Sequence, residues 1–225
     1  MLKSIVNLFF PKVCNACHNL LNDYEDTICL DCRHDLSITN FHFDNNDSIA
    51  KVLYGRAKIE NGTALFRFEK KGNVQRLIHN LKYKDHEHIG FVLGNWLGGE
   101  LKTLETYKNI DAVIPVPLHK NKLKKRGYNQ VALFGQQIAA ALNTDYLDDV
   151  LVKITNTKSQ TTKGRFTRWN NTDELFALKN MEAIDNKHIL IVDDIITTGA
   201  TIEACISVLN QVKNIKISVA TIAIA

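Results

Sequence analysis

Residues 189–201 hold a dense set of chemically functional side chains. Four apolar residues come first, the adjacent carboxylates of Asp193 and Asp194 follow, and a hydroxyl-rich turn comes last. The turn residues are Thr197, Thr198, Gly199, Ala200 and Thr201. A continuous apolar run is typical of a parallel strand that is buried on both faces. The turn would then lie at the carboxyl end of that strand, where open α/β sheets bind ligands.

The composition of this turn predicts an anion site. Backbone N–H groups and the positive end of the following helix dipole favour a phosphate. A phosphate alone gains nothing from the two carboxylates of Asp193 and Asp194 beside it. They have a role if the same ligand also carries diol hydroxyls, or magnesium bound to them, as a ribose phosphate does. We therefore predict a ribose phosphate site in which Asp193 and Asp194 are the candidate catalytic residues.

A second segment, residues 117–130, follows another predicted strand. Five basic residues fall within the seven positions from Lys120 to Arg126. Basic residues such as Lys120 could meet a second phosphate group, and Arg126, just before a predicted helix start, would suit a pyrophosphate. The alternative is a solvated basic loop, which is what most charge runs are. The position after a strand favours the phosphate role, because the two segments would meet at one edge of a parallel sheet.

Four clustered cysteines predict a structural zinc site. They form two C-x-x-C pairs separated by eleven residues. The proposed ligands are Cys14, Cys17, Cys29 and Cys32. The alternatives are disulfides, which conflict with a cytosolic chain, or a redox motif, which would occur once beside a βαβ unit. Four thiolates leave no open coordination position, so the zinc would be structural. Cys205 stands apart and is expected in the core.

The hydrophobic pattern predicts an α/β fold with a mainly parallel sheet flanked by helices. Strands are expected at residues 63–68, 112–117, 189–192 and 215–225, helices at 74–81, 89–104 and 129–142, and a long loop at 153–175. Residues 1–40 are expected to be the cysteine module, which is too small to fold without its metal. Residues 41–225 would be the larger domain, with 41–55 as a linker.

Composition places the chain among ordinary globular proteins. Hydrophobic residues make up 45% and charged residues 23% of the 225 residues. The net charge of +4 permits an anionic partner, but a dedicated nucleic-acid binder usually has a stronger excess. No apolar run reaches the roughly 18 residues that a membrane span needs. Residues 1–10 are interpreted as a short amphipathic segment rather than a signal peptide, and a cytoplasmic location is expected.

Together these segments resemble the ComF family of competence-associated proteins, which carry a phosphoribosyltransferase-like domain behind a four-cysteine module. The resemblance covers nearly the whole chain. It is carried by the two cysteine pairs and by residues 76–83, 114–119, 126–130 and 192–201. The acidic-Thr-Thr-Gly segment is shared by type I phosphoribosyltransferases, whereas the cysteine pairs narrow the resemblance to ComF.

The resemblance implies a site for phosphoribosyl pyrophosphate (PRPP) and magnesium. Residues 193–201 would hold the ribose and its 5-phosphate, and residues 117–120 would form the pyrophosphate loop. Between residues 153 and 176 the match to the family is mixed. Thr157, Gln160, Arg168 and Asn171 match, whereas Lys153 and Lys163 depart, as does Asp85.

Two functions remain open at this point. The first is a phosphoribosyltransferase that acts on an unknown acceptor. The second is a non-catalytic module that binds PRPP or single-stranded DNA and supports the competence DNA-uptake machinery. Lysines together with Tyr54, Tyr83 or Tyr128 would suit a single strand, although scattered tyrosines are more often structural.

Overall fold

The computed structural model of the chain describes residues 11–83, 86–154 and 175–225. The predicted amphipathic segment at 1–10 and most of the predicted loop at 153–175 lie outside these residues. So do the positions compared with the ComF pattern, Asp85, Thr157, Gln160, Lys163, Arg168 and Asn171.

Within these residues the strands and helices alternate along most of the chain. The strands are β1 (Gly62–Arg67), β2 (Ala112–Pro115), β3 (Asp145–Tyr146), β4 (Leu151–Lys153), β5 (Phe176–Leu178), β6 (His188–Ile196) and β7 (Lys216–Ile224). The α-helices are α1 (Leu30–His34), α2 (Ser48–Leu53), α3 (Asn73–Asn80), α4 (His88–Leu101), α5 (Lys120–Arg126), α6 (Ala132–Leu142) and α7 (Ala200–Leu209). Two 3₁₀ turns cover Glu105–Tyr107 and Met181–Ile184.

Five of the strands form one parallel sheet in the order β1-β7-β6-β2-β3. A separate antiparallel pair joins β4 and β5. The predicted α/β class with a mainly parallel sheet is therefore confirmed. Strands β2 and β6 are neighbours in this sheet. After β2 the chain continues to β3, away from β6, and after β6 it continues to β7, away from β2. The carboxyl ends of β2 and β6 therefore flank a topological switch point, which is the usual ligand position in open α/β sheets.

The side chains of the central strands alternate between two hydrophobic cores. In β6, Leu190 and Val192 pack with residues of α3, α4 and α6. Ile189 and Ile191 pack on the opposite face with residues of α2 and α7. This alternation follows from the two-residue period of a strand, and it explains why the run is apolar at every position.

Three segments differ from the sequence-based expectation. Strand β6 does not end before the acid pair but continues to Ile196, because its backbone pairs with β7 as far as Ile224. Residues 41–55, expected to be a linker, contain α2, whose Ile49 and Leu53 are fully buried in the second core. The basic segment after β2 is not a loop but the helix α5.

Among residues 11–83, 86–154 and 175–225, no helix is long and apolar enough to cross a membrane.

Candidate functional site

The predicted phosphate turn lies at the carboxyl end of β6 and leads directly into α7. Gly199 is the N-cap of α7 and has a left-handed φ of 76°, which glycine adopts without strain. The turn and Asp193 line one cavity of about 30 Å³. The predicted residues around this cavity are Asp193, Thr197, Thr198, Gly199, Ala200 and Thr201. The side chains of the three threonines are exposed, so their hydroxyl groups are available to a ligand.

Helix α2 packs closely against the turn at Gly199. A Cβ added at Gly199 would lie 2.9 Å from Leu53 Cδ2 and 3.0 Å from Val52 Cγ1. Only a glycine therefore allows the turn to approach the helix this closely. The segment expected to be a linker thus shapes the predicted phosphate site.

Arg56, which follows α2, also holds this turn. Its guanidinium donates to the carbonyl oxygen of Thr198 at 2.6 Å and to the carboxylate of Glu203 at 2.8 Å. It also donates to the carbonyl oxygen of Val52. One side chain therefore joins α2, the turn and the first turn of α7. A lone arginine carries no motif, so sequence reasoning missed it.

The acid pair is divided between the two faces of β6. Asp194 lies on the face of Val192 and accepts contacts from Lys82 Nζ at 3.0 Å and Gln130 Nε2 at 3.3 Å, both at Oδ2. Asp193 lies on the other face, and its Oδ1 accepts the backbone N–H of Asp194 at 2.8 Å. Both carboxylates are less than a tenth exposed. Two adjacent residues of a strand point in opposite directions, so this separation follows from the continuation of β6.

Burial dominates the electrostatics of Asp193. It raises the pKa of the Asp193 carboxyl well above its usual range, and the neighbouring charge of Asp194 raises it further. Lys153 lies near enough for its charge to interact with Asp193, and burial lowers the pKa of this lysine. Cys205 is fully buried on the same face, as predicted, and burial raises the pKa of its thiol. Asp193 therefore sits in an apolar environment beside the phosphate turn.

The basic segment forms a short helix on the far side of the switch point. His119 begins α5, where its Nδ1 accepts the backbone N–H of Asn121 at 3.2 Å, and Gly127 ends it with a φ of 91°. No residue of α5 is buried. This exposure explains why a strongly charged sequence can form the helix without an ion-pair partner for each lysine.

The predicted phosphate-binding residues of the basic segment, Pro117, Lys120 and Arg126, lie in two different places. Pro117 and Lys120 line a cavity of about 740 Å³ beside β3 and the β4–β5 pair. Arg126 instead contacts Gln130 Oε1, and Gln130 in turn contacts Asp194. Arg126 is therefore connected to the acid pair, whereas Lys120 faces the larger cavity.

The four predicted metal ligands come together. The sulfur atoms of Cys14, Cys17, Cys29 and Cys32 all lie within 4.8 Å of one another. None of these cysteines forms a disulfide. Burial raises the pKa of the Cys14 thiol, but backbone N–H groups that donate to its sulfur, from Cys29 and Ala16 among others, lower it to about 7. The cluster could hold a metal ion, since thiolate sulfurs at this spacing suit tetrahedral coordination.

The cysteine module packs directly against the larger domain. Cys14, Cys29 and Cys32 belong to the same core as the buried side chains of α3 and α4. At the rim, His88 Nε2 lies 2.8 Å from the carboxylate of Asp26, and the guanidinium of Arg33 stacks 4.8 Å from the centre of the Trp96 ring. A change at the cysteine cluster is therefore transmitted to the packing of these helices.

Comparison with known proteins agrees with this architecture. Residues 131–224 match the family described as Phosphoribosyl transferase domain. Competence protein F of Haemophilus influenzae is 29% identical over 130 residues, which are 56% of this chain and 57% of that protein. DNA utilization protein YhgH of Escherichia coli O157:H7 is 28% identical over 129 residues, 56% of each chain. The chain therefore spans little more than half the length of these relatives.

Among solved structures, adenine phosphoribosyltransferase from Saccharomyces cerevisiae is 19% identical. The similarity covers 68% of this chain and 69% of that chain, with a TM-score of 0.36.

Residues 131–224 are therefore similar in sequence to a phosphoribosyltransferase domain, and the parallel α/β sheet agrees with that fold. The resemblance to the ComF family predicted from the sequence is confirmed, because the relatives include Competence protein F and a DNA utilization protein.

Proposed function

We propose that the chain binds PRPP together with magnesium at the switch point between β2 and β6. The observation that carries this proposal is the left-handed turn at Gly199, which follows the acid pair at the carboxyl end of a central strand. Residues 197–201 would hold the 5-phosphate. Asp193 and Asp194 would meet the ribose, and Pro117, Lys120 and Arg126 would serve the pyrophosphate.

Magnesium fits this site as a companion of the ligand. Asp193 and Asp194 offer the oxygen donors that magnesium prefers. However, Asp193 is buried and Asp194 is paired with Lys82 at 3.0 Å. In this proposal, magnesium therefore binds the site together with the pyrophosphate rather than in a cage made by the protein. When bound, it would neutralise the charge that develops on the leaving pyrophosphate.

A transfer reaction at this site would exchange one bond at C1 of the ribose. The bond from C1 to the pyrophosphate oxygen would break, its electron pair would leave with the pyrophosphate, and a nucleophile on the acceptor would bond to C1. Lysine and arginine side chains beside the pyrophosphate would stabilise the departing charge. The relatives named for competence and DNA utilization support DNA handling as the context of this chemistry.

We also propose that the metal in the cysteine cluster is zinc. A tetrahedral zinc site with bonds of about 2.3 Å separates its sulfurs by about 3.8 Å. The sulfur atoms of Cys17 and Cys29 lie 3.8 Å apart. Four thiolates leave no position for a substrate, so the role of this zinc is structural. Zinc held by reduced cysteines is compatible with the cytoplasmic location that we propose.

Calorimetry with PRPP in the presence of magnesium tests the main proposal. Wild-type protein should bind, and Asp194→Asn should bind at least about tenfold more weakly because a charged acceptor for the ribose is lost. Asp47→Asn is the matched control, since Asp47 is exposed and pairs with Lys51 one helical turn away. Absence of binding by the wild type, under conditions where a known phosphoribosyltransferase binds, would refute the proposal.

A turnover assay distinguishes enzyme from binding module. Labelled PRPP is offered with a panel of bases, amines and nucleic acids. Release of pyrophosphate with any acceptor supports phosphoribosyl transfer, and binding without release supports a module.

The exposure of α5 favours one second candidate, a single-stranded DNA binding module that serves the DNA-uptake machinery. The lysines of this helix are exposed and can reach a phosphate backbone. Binding of single-stranded DNA should weaken steeply with salt. Combined replacement of Lys122, Lys124 and Lys125 by glutamine should reduce it more than it reduces PRPP binding, which is assigned to Lys120 and Arg126. An unchanged DNA affinity would remove α5 from this role.

A further inference from the structure

Three distant segments of the chain meet at the carboxylate of Asp194. Lys82 comes from the turn after α3, and its Nζ lies 3.0 Å from Oδ2. Gln130 comes from the segment before α6, and its Nε2 lies 3.3 Å from the same oxygen. Arg126 donates to Gln130 and thereby joins the basic segment to this group. The side chain of Asp194 is only 9% exposed, and both of these contacts are made at Oδ2.

The turn that carries Lys82 is fixed from the same side. The hydroxyl of Tyr128 lies 2.5 Å from the carbonyl oxygens of Leu81 and Tyr83, which share its single donor hydrogen. These two carbonyls flank Lys82. The backbone of Lys82 is therefore held, whereas its side chain is 36% exposed and ends at the switch point. A long flexible stem on a fixed backbone allows the ammonium to move between neighbouring partners.

The ion pair between Lys82 and Asp194 also offsets a negative charge in the proposed site. A buried carboxylate beside a site for phosphates would repel the ligand unless a cation offsets its charge. A ribose that donates its hydroxyls to Asp194 competes with Lys82 for the same oxygen. The ammonium released by this competition lies beside the basic segment, where the pyrophosphate would bind.

We propose that Lys82 is a ligand-binding residue that exchanges partners. In the free protein it neutralises Asp194, and in the complex it turns to the diphosphate of the ligand while the ribose hydroxyls take Asp194. This inference rests on the proposed PRPP function and adds a residue to it. Sequence reasoning included Lys82 in a motif but gave it no role.

Fragments of the ligand separate this exchange from a merely structural ion pair. Ribose 5-phosphate engages the phosphate turn and the acid pair, whereas inorganic pyrophosphate engages the basic side. Calorimetry with magnesium should show that Lys82→Met weakens pyrophosphate and PRPP by about tenfold or more but changes ribose 5-phosphate by less than about threefold. Lys102→Met, at the exposed end of α4, should change none of the three.

Asp194→Asn gives the opposite pattern and keeps the test decisive if Lys82→Met does not fold. It should weaken ribose 5-phosphate by about tenfold and leave pyrophosphate equal or tighter, because Lys82 is then free. Equal weakening of both fragments by either variant would overturn the exchange, as would no effect of Lys82→Met on pyrophosphate. Failure of the wild type to bind PRPP would refute the proposed function instead, and it would be seen before any variant is compared.

Discussion

Replacement of Gly199 by alanine should destabilise the turn more than any other exchange of glycine for alanine at a left-handed position that the structure describes. Gly55, Gly127 and Gly199 have φ values of 71°, 91° and 76°. The added Cβ meets no atom within 4 Å at Gly55 or Gly127. At Gly199 it would lie 2.9 Å from the buried Leu53 and 3.0 Å from Val52. The three positions thus share the backbone strain, and only Gly199 adds a steric clash.

The size of the effect follows from these two contributions. A left-handed alanine costs about 1–2 kcal/mol, and this cost applies at all three positions. Forcing a methyl group into packed surroundings costs about 1–3 kcal/mol more, and this applies at Gly199 alone. For a chain of this size each kcal/mol lowers the Tm by about 2–4 °C. Gly199→Ala should therefore melt roughly 2–12 °C below Gly55→Ala and Gly127→Ala.

Calorimetric melting of the three variants measures this difference, and titration with ribose 5-phosphate adds a second readout. The turn can also relieve the clash by moving away from α2, which would break the contact of Arg56 with the Thr198 carbonyl. In that case the Tm would change little, but the affinity for ribose 5-phosphate would fall. If both the Tm and the affinity of Gly199→Ala match those of the two controls, the close approach of α2 to the turn is wrong.

Two further predictions concern the acid pair and the cysteine cluster. Asp193→Asn should raise the Tm at pH 7, because burial raises the pKa of this carboxyl in the folded state and its ionised form is therefore costly. The gain should shrink as the pH falls and vanish below about 4, where wild-type Asp193 is protonated in both states, and a lower Tm for the variant at pH 7 would contradict the burial argument. Protein purified without added zinc should contain one zinc per chain by metal analysis, and a strong chelator should lower the Tm because the module shares a core with α3 and α4. Metal-free protein with a Tm insensitive to chelator would show that the cluster is not a zinc site.

Local patterns were sufficient to predict the central part of the fold. The apolar run at 189–192 predicted a doubly buried strand, and the spacing of Val74, Leu77, Ile78 and Leu81 predicted the helix that the structure shows as α3. Strands and helices that alternate then imply a parallel sheet. These predictions succeeded because each depends on which side chains are buried, a property that periodicity reports directly.

Elements that depend on distant partners were not predictable in this way. Helix α2 lies in a polar, turn-rich stretch, and only the contact of Ile49 and Leu53 with the second core makes it part of the domain. In the β4–β5 pair, Leu151 is paired with Leu178, which is far from it in the sequence. In the site, Arg56 acts through contacts with Thr198 and Glu203, which are distant in sequence. No local signal marks such a residue.

The continuation of β6 beyond the acid pair changes what the site can recognise. Strand residues advance by about 3.3 Å, so Asp194 lies roughly 7 Å before Ile196, the last strand residue ahead of the turn. Asp193 lines the cavity of the turn, but a bare phosphate bound at residues 197–201 would not reach Asp194 across this span. A pentose phosphate would, with its sugar over the strand and its phosphate at the turn. Asp193 and Asp194 point to opposite faces, so a ligand lying across the end of the strand can approach one carboxylate from each side. The distance and the alternation therefore both favour a sugar phosphate over a simple anion.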